Sequence, residues 1–182
     1  MTPATSALIV RVAEAEACVG ALRERLDPSA RLGVPAHVTL LHPFMSPDRI
    51  DATVLAAIGA IAAAAQPFAF RLAEVRHFPE ALFLAPDPPA PFIELTRRLA
   101  AAFPAYPPYG GRHPSIVPHL TVGQALGTAA AAIERELRTA LDALGGIAAC
   151  CRGFELIENA LGRWQPMHRF QLGAAGAWAG SP

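Results

Sequence analysis

A four-residue pattern, in which histidine and threonine alternate with aliphatic residues, occurs twice in this chain. The copies read HVTL at 37–40 and HLTV at 119–122. In an extended strand successive side chains point to opposite faces, so His37 shares a face with Thr39, and His119 shares a face with Thr121. Each copy is therefore predicted to be a strand with one polar face for a ligand and one apolar face for a core.

The residues around the two copies predict the same order of elements twice. Apolar spacing in the first half predicts strands at 6–12, 35–41 and 68–78, and helices at 14–26 and from Pro47 to 65. In the second half it predicts strands at 81–85, 116–122, 147–158 and 164–172, and helices at 91–103 and 128–144.

This repeat predicts an α/β (α+β) fold built as one two-lobed domain over residues 1–182. The halves are 6–78 and 79–172, and the small residues of 173–182 are predicted to form a frayed tail. A pseudo-two-fold duplication places the two motif strands face to face. Mixed or antiparallel sheets with helices on their outer faces then leave a central cleft between them.

Composition excludes several classes of function. The formal net charge is zero, so we expect no extended, non-specific binding of nucleic acid and favour a small or end-directed substrate. All 15 basic residues are arginine. The absence of lysine excludes P-loop nucleotide hydrolysis, Schiff-base chemistry and ligases that form an adenylyl-lysine.

Cysteine usage and hydropathy predict the cellular location of the protein. The three cysteines, at 18, 150 and 151, fit neither a disulfide framework nor a structural zinc site. The first residues lack the basic and apolar segments of a signal peptide, and the uncharged run 52–70 is interrupted by Gln66 and Pro67. We therefore expect a cytoplasmic monomer with no membrane segment and no cofactor.

The two motifs resemble those of the 2H phosphoesterase superfamily, in particular its 2'-5' RNA ligase-like branch. The matching stretches are HVTLLHPF at 37–44 and PHLTVG at 118–123, and the resemblance extends from about residue 6 to 172. It implies a two-lobed fold in which both motif strands line one cleft, and action on phosphodiesters without a metal. It also implies that opening a 2',3'-cyclic phosphate leaves a 2'-phosphate on a nucleotide or RNA end.

The residue types suit that chemistry. Cleavage of a phosphodiester needs a base for the attacking oxygen, an acid for the leaving oxygen and donors for the non-bridging oxygens. His37 and His119 supply the base and the acid, in an order that the sequence leaves open, while Thr39 and Thr121 supply hydroxyl donors. Such a pair predicts a bell-shaped pH profile, and the reverse reaction would join a cyclic phosphate to a 5'-hydroxyl without ATP.

Further substrate contacts are expected near the second motif. A Pro/Gly-rich loop before it offers aromatic groups to stack on a base and cations to bind phosphate, and its candidates are Tyr106, Tyr109, Arg112 and His113. After the motif stands Gln124, where some family members carry a basic residue; an amide donates a hydrogen bond but does not neutralise phosphate. His42, His77 and His168 are predicted to be structural.

Three alternatives stay open at this point. The enzyme could instead cleave 2'-5' linked or other small nucleotides, or the chain could be a binding module for nucleotides or RNA ends that turns nothing over. A metalloenzyme would need a ligand set such as His37, His42, His119 and Asp48. That set is disfavoured because its members lie on opposite strand faces.

Overall fold

The computed structural model describes residues 4–124 and 127–173, which form two antiparallel sheets and the helices that cover them. The strands are β1 (Ser6–Arg11), β2 (His37–Leu41), β3 (Phe68–Phe78), β4 (Ala81–Asp87), β5 (Leu120–Gln124), β6 (Ile147–Cys151), β7 (Gly153–Glu158) and β8 (Gln165–Gln171). The helices are α1 (Glu16–Leu26), α2 (Pro28–Arg31), α3 (Ala52–Ala63), α4 (Ala90–Ala102) and α5 (Ala130–Leu144).

The two sheets are alike at the edge that carries a motif strand. The first runs β2-β1-β7-β8 and the second runs β5-β4-β3-β6, with every neighbouring pair antiparallel. Each motif strand is thus an edge strand, and its neighbour in the sheet is the strand that precedes it through a helix. The predicted mixed α/β fold with antiparallel sheets is confirmed, and the repeat is visible in the pairing of each motif strand with the strand before it.

Each helix that leads into a motif strand packs against the motif strand of the other sheet. α1, which connects β1 to β2, packs against β5 of the second sheet, whereas α4, which connects β4 to β5, packs against β2 of the first. β2 and β5 also contact each other. The two motif strands therefore meet at the centre of the molecule, each supported by the helix of the other sheet.

The motif strands have the two faces that the sequence predicts. The aliphatic residues Val38 and Leu40 of β2, and Leu120 and Val122 of β5, are fully buried in the main hydrophobic core. The alternating histidines and threonines are only half-buried. Burial of the aliphatic faces fixes the register, because a slip of one residue would turn each histidine into the core.

Three predicted boundaries are wrong. The segment 147–158 forms two strands in different sheets, because the chain leaves β6 at Arg152 and enters β7. Pro47 begins only a 3₁₀ turn, Pro47–Arg49, and α3 begins at Ala52, where the Asp51 carboxylate caps it by accepting from the Val54 N–H at 2.9 Å. The second motif strand begins at Leu120 rather than 116, since Pro118 has no N–H to donate to a ladder.

Three strands belong to a different sheet from the motif strand of their own sequence half. β3 belongs to the second sheet although it ends the first half, and β7 and β8 belong to the first sheet although they lie in the second half. In the predicted tail, residues 174–182 lie outside the described residues. Within 4–124 and 127–173, no helix has the length and apolarity that crossing a membrane requires.

Candidate active site

The two motif histidines are held in the same way. His37 Nδ1 lies 2.8 Å from the carbonyl oxygen of Pro35, and His119 Nδ1 lies 2.7 Å from that of Val117. In both cases Nδ1–H donates to the carbonyl oxygen two residues earlier, in the segment that enters the motif strand. This bond sets the ring orientation and leaves Nε2 of each imidazole as the nitrogen available to exchange a proton.

The site lowers the proton affinity of both imidazoles. Burial lowers the pKa of His37 to about 4; the charges of Arg23 and His119 act in the same direction, against the Pro35 hydrogen bond and the Asp27 charge, which raise it. Burial also lowers the pKa of His119, aided by the charge of His113. The charge of His119 acts on His37, so the two motifs lie close enough to interact electrostatically.

The cleft face beside His37 is polar. Thr39 lies on this face, and β1 adds Arg11 directly opposite His37 and Ile9 directly opposite Thr39. Residues opposite each other in an antiparallel pair share a face. The first sheet therefore carries an imidazole and a hydroxyl on this face, whereas Arg11 lines a separate cavity with Glu14 and Arg169.

The surroundings of His119 are aromatic. Its ring meets Phe78 at 4.9 Å and Phe83 at 5.4 Å between ring centroids, both edge to face, and Tyr109 lies nearly parallel to it at 6.0 Å. Phe83 is also the residue opposite Thr121 on β4. The second motif thus combines its imidazole and hydroxyl with a wall of apolar rings.

A cavity of about 690 Å³ opens beside His119. Its walls include Phe78, Tyr109, His113, Val117 and Gln124, whereas His37 lies outside this cavity on the β2 side of the cleft. Three of the five predicted substrate contacts therefore line it: Tyr109, His113 and Gln124. A cavity of this size with apolar walls and few polar groups is typical of a small-molecule site.

The other two predicted contacts lie elsewhere. Tyr106 packs edge to face on Phe44, 5.2 Å between centroids, against the hydrophobic core. Arg112 is exposed and is not among the residues of the cavity wall.

The loop that carries Tyr109 is anchored to the first motif strand. The Tyr109 N–H donates to the His42 carbonyl at 2.7 Å, and Tyr109 has a φ of 54°, in the left-handed region that only a tightly constrained non-glycine residue adopts. Burial raises the pKa of its hydroxyl to about 12, so the phenol is neutral. The loop thereby places an uncharged aromatic ring over His119 from the side of β2.

Two residues next to the motifs were missed by sequence reasoning. Arg23 in α1 and Asp27 at the end of α1 form a buried ion pair at 2.9 Å, and Arg23 also donates to the carbonyl oxygen of Thr121 at 3.1 Å. Their i,i+4 spacing is the one sequence feature that could have identified them as a pair. It does not show that the pair is buried, because the same spacing is typical of solvent-exposed pairs.

The remaining histidines pack or pair away from the motifs. His42 meets Trp164 edge to face at 5.8 Å, His77 pairs with Glu134 at 2.8 Å, and His168 packs on Phe170 at 4.6 Å. Asp48 accepts a hydrogen bond from Ser46. Over the described part of the chain, no three His, Cys, Asp or Glu side chains come together in a group that could hold a metal ion.

Comparison of the fold with solved structures finds the same architecture in other proteins. TT0787 of Thermus thermophilus superposes with a TM-score of 0.63 at 20% identity, over 93% of this chain and 98% of that one. E. coli LigT superposes with a TM-score of 0.60 at 16% identity in its complex with 3'-AMP, over 93% of this chain and 98% of LigT. In its complex with NADP+ the TM-score is 0.56 at 17% identity, over 94% and 99%.

Comparison of the sequence gives two further findings. No protein with a curated functional description matches the chain significantly. The sequence profile of the 2'-5' RNA ligase superfamily matches residues 10–170. Because that match takes in both histidine motifs and most of the chain, this protein belongs to the 2'-5' RNA ligase superfamily.

Proposed function

We propose that this protein hydrolyses 2',3'-cyclic phosphates of nucleotides or RNA ends without a metal, with His37 and His119 as the acid–base pair. The observation that carries the proposal is the matched geometry of the two imidazoles. Each has Nδ1 held by a carbonyl and Nε2 left for proton transfer. His37 begins β2 and His119 immediately precedes β5, and these two edge strands contact each other.

The aromatic cavity supports an assignment of roles. A nucleoside fits beside His119, where Phe78 and Tyr109 offer apolar faces to a base. The leaving oxygen of a cyclic phosphate belongs to the ribose, so it lies on the nucleoside side, and the attacking water lies opposite. His119 is then the acid and His37 the base, which agrees with the lower pKa of His37.

The reaction follows from these positions. His37 Nε2 accepts a proton from water as the water oxygen bonds to phosphorus. The bond from phosphorus to the ribose 3'-oxygen breaks, and His119 Nε2–H donates its proton to that oxygen. Thr39 and Thr121 donate hydrogen bonds to the non-bridging oxygens, and a 2'-phosphate is released. Water returns the two histidines to their starting states.

Small nucleotides are the expected substrates. LigT has been solved in complex with 3'-AMP and with NADP+, and the cavity of about 690 Å³ in this chain accommodates one nucleotide unit. A phosphodiesterase for 2'-5' linked nucleotides uses the same acid–base pair and is the second candidate.

The experiment is hydrolysis of 2',3'-cyclic nucleotides, cyclic-phosphate RNA ends and 2'-5' linked dinucleotides in the presence of EDTA. The wild type is compared with His37→Ala and His119→Ala, and His77→Ala on the outer surface is the matched control. We expect each motif variant to lose about 10²–10⁴ in kcat, and the control to retain the wild-type rate. Wild-type rates in both motif variants would overturn the assignment.

Binding measurements separate an enzyme from a binding module. Calorimetry with the cyclic nucleotides tests whether the wild type binds them. Binding by a wild type that shows no turnover on any member of the panel would identify a non-catalytic module. Loss of turnover in EDTA alone would identify a metalloenzyme.

A further inference from the structure

The strongest feature outside the substrate cavity is the ion pair between Arg23 and Asp27. Arg23 is 2% exposed and Asp27 is fully buried at 0%. Removing two charges from water is costly, and a pair as buried as this one does not by itself stabilise a fold more than apolar residues would. Its position beside the two motifs therefore points to a role other than stability.

Arg23 binds the backbone of both motif segments. Its Nε donates to the carbonyl of Thr121 at 3.1 Å, and one terminal nitrogen donates to the carbonyl of Val34 at 3.2 Å. Thr121 belongs to the second motif, whereas Val34 immediately precedes Pro35, whose carbonyl holds the His37 ring. A single planar guanidinium thus fixes the second motif strand relative to the entry of the first.

Asp27 extends the connection to the end of β5. Its Oδ2 accepts from Arg23 at 2.9 Å, while Oδ1 accepts from the N–H and hydroxyl of Ser29 at 3.0 and 2.9 Å and from the Gln124 amide at 3.3 Å. Gln124 lies in the wall of the cavity beside His119. The carboxylate thereby holds the polar end of β5 against α1.

A third contact from the same helix strengthens this arrangement. Glu16, in the first turn of α1, accepts from the Ala36 N–H at 2.7 Å. Ala36 is the residue before His37. Both ends of α1 therefore contact the segment that enters the first motif, and its C-terminal end also contacts the second motif.

We propose that Arg23 and Asp27 are positioning residues, which set the separation and orientation of His37 and His119 by fixing β5 to the segment that enters β2. Neither side chain belongs to the wall of the cavity beside His119. The inference rests on the proposed function for its kinetic consequence, but the geometry that carries it is independent of turnover.

The charges of the pair give this role a distinctive readout. Around His37, the charged and titratable groups are Arg23 and Asp27 from the α1–α2 region, His119 from the facing motif, and Arg11 from β1. Arg23 lowers the pKa of His37 and Asp27 raises it. Neutralising one partner or the other should therefore move the titration of His37 in opposite directions, which a purely structural defect would not do.

The experiment uses Arg23→Met, Arg23→Lys and Asp27→Asn, with Arg25→Met as the matched control. Arg25 lies on the same helix but is exposed, in a surface pair with Glu136 at 3.2 Å. Arg23→Met should lower kcat by about 10- to 100-fold with little change in KM, since a displacement of about 1 Å costs that much. Arg23→Lys should restore the charge but not the rate, because an ammonium cannot reproduce the planar contacts.

Titration of the His37 ring by NMR, without substrate, completes the test and remains informative if the wild type hydrolyses nothing in the panel. We expect the pKa of His37 to rise in Arg23→Met, to fall in Asp27→Asn and to stay unchanged in Arg25→Met. If Arg23→Met does not fold, Asp27→Asn and Arg23→Lys carry the test. Folded variants in which both kcat and the His37 titration match those of Arg25→Met would overturn the proposal.

Discussion

The phenol ring of Tyr109 lies nearly parallel to the imidazole of His119, with 6.0 Å between the ring centroids and 24° between their planes. This contact joins a loop to a motif strand, because the backbone of Tyr109 is itself bonded to His42 at the end of β2. Tyr109 thus supports the His119 ring on one side and forms part of the cavity wall on the other.

Replacement of Tyr109 should separate the aromatic contribution from that of the hydroxyl. We expect Tyr109→Phe to keep kcat/KM within about twofold, because the ring is retained. Tyr109→Asn tolerates the left-handed backbone but lacks the ring, and should raise KM for cyclic nucleotides by about 5- to 100-fold. Steady-state kinetics checks both values, and equal kinetics for Asn and wild type would exclude a stacking role.

The pH profile of kcat/KM should be displaced towards acid. The base must be neutral, so activity is lost as the pH falls through the pKa of His37 at about 4. The acid must be protonated, so activity is lost as the pH rises through the pKa of His119, which lies below its usual value. We therefore expect a bell with its optimum below about pH 6.5. A plateau from pH 5 to 9 would contradict the two-histidine mechanism.

Introduction of a cation at position 124 should strengthen phosphate binding. Gln124 lines the cavity and bonds to Asp27, and Gln124→Arg adds a positive charge there. We expect KM for cyclic-phosphate RNA ends to fall about 3- to 10-fold at low salt, and the gain to shrink as salt screens the charge. Gln66→Arg, at an exposed site before β3, is the control for net charge. The same decrease in both variants would assign the effect to general attraction.

The packing of α4 should depend on one aromatic residue. Phe92 is fully buried at 0% exposure and meets Phe68 and Phe70 edge to face, each at 5.0 Å. Phe92→Ala should lower the free energy of unfolding by about 3–5 kcal/mol, measured by urea denaturation. Arg97→Ala on the exposed face of the same helix should change it by less than about 0.5 kcal/mol. A similarly small loss for Phe92→Ala would mean that this part of the core rearranges.

The sequence predicted local features well because they depend on short-range periodicity. Alternation in HVTL and HLTV identified the two faces of β2 and of the second motif, and the repeat identified the duplicated fold. The division between β6 and β7 could not be predicted, since the run 147–158 is continuous in pattern and its two parts separate only through pairing with β3 and β1. Tertiary pairing decided that boundary, as it commonly does for strands.

The polar surroundings of the motifs were less accessible to sequence reasoning. Arg23 and Asp27 show an ordinary helical spacing, and only the packing of α1 against β5 turns them towards the interior. Tyr106 and Tyr109 occupy the same loop and look equivalent in sequence, yet one packs on Phe44 and the other on His119. Such differences arise from contacts between residues distant in the chain.

Because strands of each sequence half pair in the sheet of the other half, the two halves cannot fold as separate units. A cut between β3 and β4 would yield one fragment in which β3 has lost both of its partners, β4 and β6, and another in which β7 has lost β1. Each fragment would expose unpaired strand edges and the apolar faces that the other covers. The two fragments therefore need each other to complete their sheets. Only their association would bring both motifs back into one cleft.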